Sequence, residues 1–462
     1  MKTLPSVVLV AATLACARSE SPPLVIRHVT VISMTGPAAL PDHAVVVRDG
    51  RIGALGPDAE VDVPRRAVVI DGTGKYLIPG LFEMHTHTSK TRASALGLYP
   101  VYGITTVRDQ GSEHAEVLRW RREIRAGTRI GPRMLIAGPY LESRRNIDRM
   151  RADPPESRVE PFERARIPIG TPEEARRVID SLAGLELDHF KIRTVQDRET
   201  YFALNEAANR HGIPLVGHVT VRSPADIIAA GQDGVDHSFF TLLDSLTRDE
   251  RMSYWRQFAE RGIGIVPTLV TLTESVRLPQ TYLQALVDDT AGAMHPLRSY
   301  VSRFLVLDWG EQVLEATPER QAAFGAAWPS VLRDLREMRE AGVRIMAGSD
   351  VAVINIFPGA SLHTELELFV DSLGMTPLEA LASATREPAA YLGLADSVGT
   401  IDVGRVADLV LLEADPLVDI SNTNRIAAVA LRGRWFDRAG LDALRAAVRA
   451  APDLQANDWV RN

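Results

Sequence analysis

At 462 residues the chain can bury a large core, and its length alone allows two or three domains. A hydrophobic fraction of 45% and a charged fraction of 24% are those of an ordinary soluble globular protein. A net charge of -7, with no dense basic block, argues against nucleic acid or an anionic membrane surface as a partner.

Residues 1–17 read as a signal peptide. Lys2 precedes the apolar run Leu4 to Ala15, which is too short to span a bilayer but suits secretion. Ala15-Cys16-Ala17 offers a small-x-small cleavage site after Ala17. Alternatively, Thr13-Leu14-Ala15-Cys16 forms a lipobox with Thr13 in the position usually held by Leu. Cys16 would then be the lipidated first residue of a bacterial lipoprotein, and that anchor would be the only membrane contact. Either way the chain is expected to be exported, to the periplasm or beyond. Cys16 is the only cysteine, so the mature chain has no internal disulfide and no thiolate metal ligand.

Residues 24–78 alternate short apolar runs with Gly turns, predicting strands at Val25–Ile32, Ala44–Val47, Arg51–Leu55 and Ala67–Asp71. Residues 398–438 have the same character, and the two ends are expected to pair into one small β-sandwich. Between them, residues 79–397 alternate apolar runs with amphipathic helices. Eight strands are predicted there: Leu81–His87, Ile104–Asp109, Met134–Gly138, Phe190–Arg193, Leu215–His218, Val235–His237, Ile263–Thr268 and Val343–Asp350. Thr171-Pro172-Glu173-Glu174 and Thr376-Pro377-Leu378-Glu379 mark helix starts, each a capping box with Pro at the first helical position. The pattern predicts an α/β fold, a (β/α)8 TIM barrel flanked by the sandwich, with residues 439–462 as a helical tail. A doubly wound sheet is the alternative, but no Gly-x-Gly-x-x-Gly turn follows an early strand. Residues 139–170 and 271–330 are too long for simple turns and are expected to build the active-site rim.

The polar residues at the predicted strand ends form a set. His85 and His87, at i and i+2, project from one strand face and can reach one metal ion. Lys191 lies in the fourth strand, His218 ends the fifth, His237 the sixth and Asp350 the eighth. A barrel would bring all six onto one face. Without a usable thiolate, any metal must be held by nitrogen and oxygen, which suits zinc and also accepts Mn, Co or Fe.

With these motifs, and with Pro79-Gly80-Leu81, Gly103-Ile104-Thr105-Thr106-Val107-Arg108-Asp109, Ala347-Gly348-Ser349-Asp350 and Ala407-Asp408-Leu409-Val410, the chain resembles the amidohydrolase superfamily. Within it the likeness is to the exported prolidase-like and imidazolonepropionase-like branch, from about Val25 to Arg438. The resemblance implies two divalent metal ions. His85 and His87 would hold the more buried ion, and His218 and His237 the more exposed one. A CO2-derived carbamate on Lys191 would bridge them, with Asp350 as both ligand and catalytic acid–base. It also implies hydrolysis of a C–N bond in a small molecule, a dipeptide or N-acyl amino acid, by a metal-bridged hydroxide. A mononuclear deaminase-like site, a lactonase or phosphotriesterase, and a fold retained only for binding are the alternatives.

Three features depart from the family pattern. Glu83 stands where Asp is common, no extra histidine follows His218, and Ile192-Arg193-Thr194 replaces a Gly-rich turn after Lys191. Seven arginines between residues 140 and 168 are interleaved with six acids, predicting a solvated, self-paired loop rather than a carboxylate-binding one.

Overall fold

The computed structural model describes residues 22–152, 164–220, 223–237, 240 and 243–451. The expected signal peptide, Cys16 and the last residues of the C-terminal tail lie outside this range.

The chain ends meet in a single eight-stranded sheet. From the first end come β1 (Leu24–Val31), β2 (Leu40–Arg48), β3 (Arg51–Pro57), β4 (Val68–Asp71) and β5 (Tyr76–Pro79). Antiparallel pairing of Tyr76–Pro79 with Leu409–Leu412 joins them to the strands of the other end. Those strands lie at Leu409–Leu412, Ile426–Leu431 and Arg434–Phe436. Instead of two separate layers, one connected sheet carries all of them, seven strands in a single path and β4 branching off it beside β1. Strand alternation explains why its sequences are continuously apolar. Leu77, Leu409, Leu411, Ala428 and Ala430 fall in the sheet's own core, while Ile78, Val410, Leu412, Val429 and Leu431 pack into the large core shared with the middle of the chain.

That middle is α/β with parallel strands. A three-stranded sheet holds β6 (Leu81–Thr86), β7 (Ile104–Asp109) and β8 (Arg133–Ile136). A second, six-stranded sheet holds β9 (Tyr140–Ser143), β10 (Arg166–Ile169), β11 (Phe190–Ile192), β12 (Leu215–Gly217), β13 (Gly234–Asp236) and β14 (Gly264–Val266). Every residue of β6 and β7 is buried, as expected of parallel strands covered on both faces.

Hydrogen bonds connect the sheet edges. The Asp188 amide donates to the Ile136 carbonyl at 2.9 Å, beside β8. Residues 344–351 bond to β14 on one side, through Ile265 N to Arg344 O and Met346 N to Ile265 O, both 2.9 Å. On the other side they bond to β6, through Met84 N to Ala347 O (3.1 Å) and Asp350 N to His85 O (2.9 Å). This segment occupies the place of the expected eighth strand but forms only isolated bridges. Its ladder breaks where Asp350 takes φ +56 and Ala352 φ +143. The third expected strand likewise bends at Gly138 (φ +68) and resumes as β9.

Local chemistry sets the helix boundaries. Thr376 and Glu379 form the expected capping box. Thr171 caps Glu174 N, but the Glu174 carboxylate accepts from Gly170 N instead of closing the box. Residues 139–170 contain β9, the helix Arg144–Ala152 and β10. Within 271–330 lie the helices Gln280–Asp288 and Arg303–Glu315, whose Leu283, Leu286, Leu305 and Trp309 pack with Ala352, Ile354 and Phe357 just after Asp350. The long excursion is thereby fastened over the strand ends.

Candidate metal centre

His85 and His87 leave the end of β6 and meet Asp350 across the hydrogen-bonded seam. His85 Nε2 lies 3.4 Å and His87 Nε2 3.1 Å from Asp350 Oδ1, while His237 Nε2 lies 3.7 Å from Oδ2. His237 also stands with its ring centroid 5.0 Å from that of His85 and 5.0 Å from that of His218. The four imidazoles therefore form a chain, 87–85–237–218. His87, His237 and His218 line a cavity of about 550 Å³, and His85 is fully buried behind them. The tightest triad is His85, His87 and Asp350, whose ligand atoms lie within 4.8 Å of one another.

Lys191 comes from β11 and is completely buried. Its ammonium is ion-paired with Asp236, the residue before His237. Asp236 also accepts from Arg108 Nη2 at 3.0 Å and lies 3.6 Å from His85 Nδ1. Asp236 and Arg108 are components that the sequence reading missed. The signal was present: an acid on a β-strand buried on both faces needs a cation, and Lys191 and Arg108 sit on other buried strands.

Burial pushes the His85 imidazole down to about 3, and the same cause holds His218 and His237 below the ordinary histidine range. Burial alone would raise Asp350, but the neighbouring imidazoles of His85, His87 and His237 outweigh it and hold the carboxylate ionised. Lys191 is lowered by burial, with Asp236 opposing the shift. Burial thus favours the neutral form of His85, His218 and His237 beside an ionised Asp350, which is the protonation state that a metal ion requires.

A second layer of contacts orients these groups. The Tyr140 hydroxyl hydrogen-bonds His87 Nδ1 at 2.8 Å, and Thr268 Oγ1 hydrogen-bonds His237 Nδ1 at 2.6 Å. Both bonds leave Nε2 facing the cavity. Glu83 accepts from His85 N (3.0 Å), Ser349 N (2.8 Å) and Ser349 Oγ (2.5 Å), so it ties β6 to the segment that carries Asp350. The longer Glu at this position therefore acts as a strap between strands. His237, Thr268 and Asp350 all take positive φ (+62, +50 and +56), which places three strained residues at the strand ends of the site.

The residues present fit a divalent metal. Both ring nitrogens of the fully buried His85 lack a hydrogen-bond partner among the described residues, although buried imidazoles ordinarily have one. A neutral nitrogen beside a second imidazole and an ionised carboxylate is a donor set for a first-row dication.

Comparison with known proteins agrees with this chemistry. A sequence model described as "Amidohydrolase family" matches residues 76–436. The imidazolonepropionase of Ralstonia nicotianae is 26% identical over 411 residues, covering 82% of this chain and 88% of that protein. Among solved structures, a putative prolidase from Bifidobacterium longum is 27% identical with a TM-score of 0.68, covering 93% of this chain and 99% of that one. A Xaa-Pro dipeptidase with bound methionine shares the fold at 20% identity and a TM-score of 0.66, covering 90% of this chain and 100% of that one.

Proposed function

This chain belongs to the amidohydrolase family and is a hydrolase acting on C–N bonds, and from that premise we propose an exported enzyme that cleaves a dipeptide or N-acyl amino acid at a centre of two divalent metal ions. The observation that carries the proposal is the convergence of His85, His87 and His237 on Asp350, with neither nitrogen of buried His85 in a hydrogen bond among the described residues. The hydrogen bonds from residues 344–351 to both β14 and β6 support closure of the parallel strands into a (β/α)8 barrel, with the composite sheet at its side.

His85, His87 and Asp350 would hold one ion, and His218 and His237 the second, with Lys191 carboxylated between them. When bound, such ions polarise the scissile carbonyl and lower the pKa of water. Zinc is the expected metal, and Mn, Co or Fe would suit the same ligands.

The chain's own groups supply the remaining steps. Asp350 is ionised and lies at the cavity wall, so its carboxylate accepts the proton of the attacking water and returns it to the departing nitrogen. Tyr140 and Thr268 fix the ring orientations of His87 and His237 through their Nδ1 atoms. Lys191 captures CO2 only as the free amine, towards which burial drives it, and in doing so must leave Asp236.

A second reading follows from that ion pair. If Lys191 stays with Asp236, the compact triad of His85, His87 and Asp350 would serve a single ion, as in a deaminase-like site. Intact-mass analysis of the metal-loaded protein separates the two readings: a gain of one CO2, lost on Lys191→Met, supports the bridged pair. Hydrolysis of dipeptides and N-acyl amino acids that a chelator abolishes and divalent metal with bicarbonate restores tests the function itself. Activity unchanged after verified metal removal would contradict it.

A further inference from the structure

We propose that Arg193 is the substrate-selecting residue of this site and takes a free carboxylate on the substrate, so that anionic amides are preferred over their uncharged counterparts; the inference rests on the hydrolase reading above. The position follows from strand alternation. Arg193 lies two residues beyond Lys191, so it points to the same side but further towards the mouth of the cavity. Its amide donates to Leu141 O at 3.0 Å, which keeps the backbone in register at this point.

The guanidinium is held but not exhausted. Arg193 Nη1 donates to Glu142 Oε2 at 2.9 Å. A guanidinium carries five N–H donors, and this is the only one committed among the described residues. The side chain remains 34% exposed, on the cavity wall. Glu142 is fully buried and is shared with Arg166, whose Nε lies 3.3 Å from Oε2, so one carboxylate stands between two guanidinium groups. Arg166 is itself buried, which corrects the expectation of a solvated, self-paired arginine loop at this position.

Distance from the chemistry is set by one aromatic ring. The Arg193 guanidinium carbon lies 5.9 Å and that of Arg166 4.9 Å from the Tyr140 ring centroid, while the Tyr140 hydroxyl holds His87. A carboxylate bound at Arg193 would therefore sit one ring's width from the metal ligands, a spacing suited to a carboxylate a few bonds from the scissile amide. Lys90 and Asp308, paired at 3.2 Å, line the same cavity and offset one another, which leaves the carboxylate to Arg193. Leu272, Val276 and Leu283 line it as well and offer an apolar surface to a side chain. The planar fork of an arginine suits bidentate recognition of a carboxylate, and such charge-assisted bonds are worth about 10- to 100-fold in affinity.

The test uses N-acetyl-L-leucine and its uncharged amide, N-acetyl-L-leucinamide, with the full mature chain. Calorimetric binding to metal-free protein is expected to favour the acid by about 10-fold or more. Arg193→Met is expected to bring the ratio close to one, while Arg193→Lys, which keeps the charge but loses the fork, retains part of it. The zinc-loaded enzyme should show the same ordering in kcat/KM, with the change in KM. Equal binding of acid and amide by the wild type, or an Arg193→Met variant of unchanged melting temperature that keeps the full preference, would overturn the proposal. If neither compound is cleaved but the binding preference and its loss persist, the carboxylate site stands and the hydrolase reading fails. Cleavage without acid preference has the opposite meaning.

Discussion

Replacing Asp236 with Asn should unsettle the centre from beneath. Asp236 is completely buried and faces the Lys191 ammonium, also completely buried, and Arg108 Nη2 at 3.0 Å. The Asn side chain keeps the shape but removes the negative charge and turns an N–H donor towards groups that are themselves donors. Breaking a buried pair in this way costs about 3–5 kcal/mol, because the cations remain out of water. At an unfolding entropy of about 2 cal/mol/K per residue, a chain of this length changes by roughly 1 kcal/mol per degree, so the melting temperature should fall by about 3–5 °C. The assay is thermal unfolding in chelator without bicarbonate, where Lys191 is unmodified, on a cycle of Asp236→Asn, Lys191→Met and the double variant. The double variant should fall short of the summed losses by about 2 °C or more, because removing the cation relieves the charge left by Asn. Strict additivity, or a loss under about 1 °C for Asp236→Asn, would refute the coupling.

Gly217→Ala should be far more damaging than Gly212→Ala. At Gly217, φ is +142 and an added Cβ would lie 2.0 Å from the Ile192 carbonyl oxygen, which also accepts from His218 N, whereas nothing lies within 4 Å at Gly212. Urea unfolding should show a cost of at least about 3 kcal/mol against about 1 kcal/mol, and similar losses would contradict the fit. Tyr140→Phe removes the hydroxyl on His87 Nδ1 and should weaken metal affinity by about 10- to 100-fold in competition with a chromophoric chelator. Unaltered affinity would remove Tyr140 from the orienting layer. Glu365 is pushed up to about 8 by burial, against which its bonds to Leu269 N and Val270 N are insufficient. Because its folded pKa is raised, its contribution to stability is fully present below its unfolded value and is lost as pH rises through about 8. Glu365→Gln should therefore flatten the decline in melting temperature between roughly pH 5 and 8; an unchanged slope would assign that decline to other groups.

Much of the parallel framework was legible because strand alternation, cap chemistry and strand-end histidines are local. His85 and His87 share a face by spacing alone, and Thr376 with Glu379 announces its helix in four residues. The irregular eighth segment was not legible, because Ser349-Asp350-Val351 looks like strand, and positive φ at Asp350 is imposed by the site it serves. Nor was the joining of both chain ends into one sheet, since β5 and Leu409–Leu412 pair across more than three hundred residues. The ion pair of Lys191 with Asp236 stayed hidden for a related reason. Sequence marks a lysine as a bridging candidate but does not show which buried acid meets it, and Asp236 looked like a mere prelude to His237. Arg166 was hidden by composition, because a run of alternating charge looks solvated until Glu142 is seen beneath it, and the sequence does not show that the same acid also meets Arg193 after Lys191.

The central claim is that His85, His87, His218, His237, Lys191 and Asp350 together hold a hydrolytic metal pair. Elemental analysis of the purified, dialysed protein after loading with zinc and bicarbonate addresses it directly. The account predicts about two ions per chain, falling to about one when His218 and His237 are both replaced by Asn. Wild-type protein that retains no stoichiometric metal under these conditions would contradict it.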